Sequence, residues 1–154
     1  MENTKAARAS VKGESAHLLR KADAGCKYAT QTISIALDYA KDKEIRALLT
    51  KYNKRHEALK GDIIKELNAR GEGEEKHPSM AAAMAGAHMK ISLGISAKDS
   101  RLAELMINGC HMGIKTLYKE KHRRGGADTR SQELTDELIR IEEQMMGELY
   151  GYLR

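Results

Sequence analysis

From Leu19 onward the chain places Ala22, Cys26, Ala29, Ile33, Ala36 and Ala40 at alternating steps of three and four. A repeat of that period puts all of these side chains on one stripe of a helix, and a strand, with period two, cannot reproduce it. Such a stripe has to be buried against another element. The small residues on this seam let a neighbouring helix approach closely. Lys41-Asp42-Lys43 then forms a short polar joint, after which Ile45, Leu49, Tyr52, His56, Leu59 and Ile63 repeat the spacing as far as Arg70-Gly71. Glycine there suits the left-handed conformation that closes a helix. Two amphipathic helices joined so tightly predict an antiparallel hairpin.

The stretch Gly71 to Pro78, GEGEEKHP, is polar and glycine-rich and is the one long connection in the chain, so it is expected to be a crossover. Ser79 is placed to cap a short Ala- and Met-rich helix from Met80 to Leu93 that breaks at Gly94. A third long helix starts at Ser96 or Asp99, carries Ala103, Met106, Cys110, Gly113 and Leu117, and ends at Arg124-Gly125-Gly126. The last starts near Asp128 or Ser131 and carries Leu134, Leu138, Ile141, Met145, Leu149 and Tyr152. The expected fold is all-α, a four-helix bundle with a short extra helix in the crossover between the second and third long helices. The 154 residues suffice for one domain with its own core. Residues 1–12 carry no seam and are expected to be disordered. A single proline and the absence of Phe and Trp agree with helices throughout.

The formal charge of +5 raises nucleic acid as a partner, but basic and acidic residues alternate along every segment. The densest basic group, Lys119, Lys121, His122, Arg123 and Arg124, falls at a predicted helix end, where cations complement exposed carbonyls. A nucleic-acid-associated basic bundle therefore stands only as a second alternative. No apolar run reaches the roughly 18 residues of a membrane span. The opening MENTKAARASVKGESAHLLR has no secretory core. The expectation is a cytoplasmic protein without a membrane partner. No Ser-His-Asp order, phosphate-cradling glycine loop or Cys-x-x-Cys occurs, which leaves hydrolase, nucleotide-binding and zinc-finger readings without support. The methionines, Met80, Met84, Met89, Met106, Met112, Met145 and Met146, read as flexible core filler. Tyr150, Tyr152 and Leu153 are expected to cover a groove or a partner subunit, in keeping with a homodimer or larger homo-oligomer.

Bundle cores hold metal ions when Glu-x-x-His sets a carboxylate and an imidazole one turn apart. Here that spacing occurs as Asn53-x-x-His56 and Glu143-x-x-Met146, with Cys110 on the third long helix. Asn53, His56, Cys110, Glu143 and Met146 are thus the candidate metal ligands. A neutral amide and a thioether are poor partners for iron or manganese, and a thioether suits softer ions. No cofactor and no catalytic residue is predicted, and a metal ion held by this modified set is the alternative. The literal Glu14-x-x-His17 lies near the start of the first helix. His56 sits between Tyr52 and Leu59 on a seam, where an unpartnered ring is costly; Tyr52, Glu57 or a neighbouring helix must satisfy it. Cys26 and Cys110, also on seams, read as small inert fillers in a reducing compartment.

Several spaced marks are shared with a known group of proteins. They are Asp23 followed by Tyr28, Arg55 ahead of the helix end at Gly71, Gly86-Ala87-His88, and Gly109 nine residues before Tyr118. On these, from about Leu18 to Tyr118, the chain resembles a bacterial family of ferritin-like four-helix-bundle proteins of unassigned function. It departs from that family at Met89 and Ile91, where Arg and Trp are usual, and at Cys110, where a Glu is usual. The resemblance implies a ferritin-like bundle and carries no catalytic assignment. With a complete set of seams and an incomplete ligand set, the expected role is non-enzymatic, in interaction or stress-related structure; the alternative is a metal-binding oxidoreductase or storage protein.

Overall fold

The computed structural model describes residues 2–74, 80–96 and 98–154. Among them five α-helices are present and no strand: α1 (Glu2–Tyr39), α2 (Lys43–Ala69), α3 (Met80–Ile95), α4 (Asp99–Arg123) and α5 (Thr129–Leu149), with one 3₁₀ turn at Tyr150–Tyr152. The expected Ser79 cap and the residues from Glu75 to Pro78 lie outside the described part. The first helix begins earlier than its seam requires. Residues 3–13 continue α1 as an exposed helix where disorder was expected. Lys5, Ala6, Ala7 and Arg8 are strong helix formers, and extending an existing helix needs no new nucleus.

Helix ends follow from local chemistry. Asp42 caps α2, its Oδ1 accepting from the amides of Glu44 at 2.7 Å and Ile45 at 3.2 Å. Gly71, at φ 72°, closes the same helix: the Glu72 amide donates to Leu67 O at 2.9 Å and the Gly71 amide to Asn68 O at 3.0 Å. This paired pattern satisfies the last carbonyls and needs a residue tolerant of positive φ. Asp128 caps α5 by accepting from the Ser131 amide at 2.9 Å.

Three long-range contacts set the directions of the helices. The Asp99 carboxylate at the start of α4 accepts from the amides of Lys41, at 3.0 Å, and Asp42, at 2.8 Å. The start of α4 therefore lies where α1 ends. At the other end of the bundle the Asp128 amide donates to Ser15 Oγ at 2.8 Å, and the Asp128 carboxylate pairs with Arg70. So α5 starts beside Ser15, well inside α1, and the end of α2, and the α2-to-α4 connection runs from that level to the bend between α1 and α2. Helix α1 packs against all the others, and α2 against α1 and α5. Their seams meet in one core that runs from Leu19 and Leu67 to Ile45 and Leu149.

Helix α3 lies against α1 and, more lightly, α4. At Gly86 a Cβ would stand 3.4 Å from both Gln31 Nε2 and Ile35 Cδ1, so the backbones approach closely there. Met89 and Leu93 turn inward, while Met84, Ile91 and Ile95 are 67, 65 and 84% exposed. The helix runs through Gly94 to Ile95 instead of breaking at the glycine. A lone glycine costs a helix only about 1 kcal/mol, which packing readily outweighs.

Arg70 beside Asp128, aided by the Ser131 amide, holds that carboxyl well below the usual carboxylate range, against the opposing effect of burial. Because the folded pKa is depressed, the stabilisation is complete above the unfolded value near ~3.9 and is lost as pH falls through the lower folded value. Asp128→Asn is expected to flatten the fall of Tm below about pH 4. Parallel melting curves of variant and wild type across that range check it.

Candidate functional site

The structure places the five candidate ligands unevenly. His56 and Cys110 are buried, Asn53 is half-buried with an unpartnered Oδ1, and Met146 is partly buried against the core. Glu143 is exposed. The inward carboxylate is its neighbour Glu142, only 6% exposed. At about 100° per residue, Glu142 shares the stripe of Leu138, Ile141, Met145 and Leu149, whereas Glu143 turns off it. The spaced pair on α5 is therefore Glu142-x-x-Met145. Its signal was present in the sequence, three residues before the strict seam position Met145.

Glu142 meets His56 across the core. His56 Nδ1 lies 2.7 Å from the Tyr52 carbonyl one turn back, and Nε2 lies 2.7 Å from Glu142 Oε1. A carbonyl only accepts, so Nδ1 must carry a proton and donate it. One further proton is then shared between Nε2 and Oε1. Whether that proton sits on nitrogen or oxygen, the pair has no net charge. Of the expected partners, the Tyr52 backbone and a neighbouring helix supply both bonds, and Glu57 supplies neither.

Cys110, buried on α4, lines the same space as Glu142. Burial first, and then the field of Glu142 and a hydrogen bond to it, push the Cys110 thiol far up. Cys26, on α1, is pushed up by burial and then by Asp23 and Glu142. Both sulfurs are unpaired and stay protonated at neutral pH, which makes them weak donors instead of nucleophiles. Asp23, fully buried, is bonded at 2.8 Å to Lys27 one turn on.

Beside the His56 imidazole, the buried side chains offer one carboxylate and one protonated thiol. Both ring nitrogens of His56 are occupied, one by a carbonyl, and among the described residues no three His, Cys, Asp or Glu side chains are arranged to hold an ion. The Glu14 and His17 pair is not aimed into the core either: His17 Nε2 lies 3.3 Å from Glu120 Oε2 at the bundle end.

Beside the pair lies a cavity of about 210 Å³ between α1, α3, α4 and α5. Glu142 and Cys110 form its polar wall; Ala29, Met89, Met106 and Met145 form buried apolar walls; His88, Asn108 and Met112 line its exposed side. Sequence reasoning did not reveal this space, because no local pattern records where side chains fail to fill a core. Tyr28, also on its lining, has its hydroxyl pushed up by burial and then by Glu142.

Three of the five basic residues at the end of α4 have partners within the molecule. Lys121 pairs with Asp136, Arg123 Nη1 lies 3.5 Å from Glu120, and Arg124 donates to His17 at 3.3 Å. No helix of the described residues is long and apolar enough to cross a membrane. Comparisons with protein-family models, with curated proteins and with solved structures find no match to this chain.

Proposed function

We propose that this protein is a ferritin-like helical bundle that acts by binding and association, without catalysis, as a homodimer or larger homo-oligomer in the cytoplasm. The observation that carries the reading is the bonding of buried His56 through both ring nitrogens, to the Tyr52 carbonyl and to Glu142. Where a ferritin-like oxidase needs a free imidazole and carboxylate, His56 and Glu142 are bonded to each other. The crossover between α2 and α4 supports the ferritin-like arrangement. Exposed Met84, Ile91 and Ile95 on one side of α3 support association, and two unpaired thiols support a reducing compartment.

Metal analysis of protein purified without chelators tests it. The expected result is iron and manganese far below one equivalent per chain. Stoichiometric iron or manganese in the wild type that disappears in Glu142→Gln would overturn the proposal in favour of the oxidoreductase or storage alternative.

A further inference from the structure

The cavity beside Glu142 carries an inference that rests on the non-catalytic reading and deepens it. This core has neither Phe nor Trp, and the space left, about 210 Å³, is of the size an aromatic ring fills. An apolar protein cavity of about 150 Å³ admits benzene. Four thioethers, those of Met89, Met106, Met112 and Met145, line it. Thioethers make favourable contacts with ring edges and adapt to the shape of an occupant. Exposed His88, Asn108 and Met112 mark the side from which a ligand enters.

The polar wall restricts the charge of that ligand. A carboxylate offers about four lone-pair positions, of which His56 takes one. Glu142 therefore accepts a further hydrogen bond. Its charge is already balanced by the shared proton with His56, and Cys110 is a neutral thiol. A charged ligand would lose its water without gaining a counter-charge. Thr32 donates within α1, to Tyr28 O at 3.1 Å and Ala29 O at 3.0 Å, so its hydroxyl offers no competing donor to the space. The geometry points to a binding site for a small neutral aromatic molecule that carries one N–H or O–H donor, the ring among the methionines and the donor on Glu142.

Indole is a suitable test ligand for the full chain, with 1-methylindole as the same ring lacking the donor and indole-3-carboxylate as a charged analogue. Calorimetric titration of metal-free protein is expected to show saturable one-to-one binding of indole. The N-methyl compound should bind about tenfold or more weaker, because the acceptor loses its partner, and the carboxylate should not compete. Ala29→Leu fills the cavity from α1. Gly109→Leu fills it from α4, where a Cβ meets only the Tyr28 hydroxyl at 3.9 Å and the ring at 4.0 Å. Each variant that keeps the wild-type helical circular dichroism should lose indole binding. Four results overturn the proposal: no indole binding at millimolar concentration, equal binding of 1-methylindole, unchanged binding by a folded cavity-filled variant, or stoichiometric Cu(I) binding lost in Cys110→Ser with no response to indole. Failure with indole leaves the non-catalytic reading standing, while stoichiometric iron or manganese at Glu142 overturns that reading whatever indole does.

Discussion

His56→Ala is expected to destabilise the fold by about 3–5 kcal/mol, read as a lower urea midpoint at an unchanged slope. The ring is fully buried, and its removal leaves Glu142 without its imidazole partner and opens a void beside Tyr52. Breaking one side of a buried pair is costly because the remaining group has already lost its water. The double variant His56→Leu with Glu142→Met separates that cost from the worth of the pair. Replacing both members by apolar residues of similar volume is often neutral or stabilising, so the double variant should recover most of the loss. A single-variant cost below about 1 kcal/mol would mean that water reaches Glu142 and that the pair is not a closed unit.

Leu138→Ala is the second large effect, with an expected cost of about 2–5 kcal/mol from lost burial and the cavity left behind. Leu138 is 1% exposed and crosses from α5 onto Gly25 of α1, where a Cβ would stand 3.0 Å from its Cδ2. That contact makes the two positions energetically dependent. Gly25→Ala alone gains up to about 1 kcal/mol of helix propensity but presses on the leucine end. In the Leu138→Ala background the pressure is gone and the new methyl occupies part of the void. The cycle should therefore show a favourable coupling of at least about 0.5 kcal/mol, measured by denaturant unfolding of the four proteins. Strict additivity would show that α1 and α5 are further apart at this level than the structure places them.

The helices were legible because each buries a stripe of regular period, and Leu19 to Ala40 or Ile45 to Ile63 records that period locally. The α5 carboxylate was misplaced by one residue for a physical reason. Glu142 and Glu143 are equally polar, but only Glu142 falls on the stripe of Leu138, Ile141, Met145 and Leu149; the Glu-x-x-Met spacing drew attention to Glu143, and the partner Glu142 meets, His56, is 86 residues away in the chain. An inward histidine could be read as needing a partner; which partner could not. Asp99 is one of two expected starts of its own helix, yet its carboxylate serves the amides of Lys41 and Asp42. Lys98 holds the cap position of α4 without a side-chain bond. Local rules place a carboxylate at a helix start without saying which donors it will take.

That carboxylate couples the two halves of the chain. A hairpin of α1 and α2 on its own leaves the amides at its bend to water, and only the arrival of α4, after the chain has returned from the far end of α2, supplies their acceptor. The bend is thus a reporter of assembly. Slow hydrogen exchange at Lys41 and Asp42 would register the docking of a helix that begins 57 residues later, so a property of the first hairpin's turn is in effect a measure of whether the second hairpin is in place.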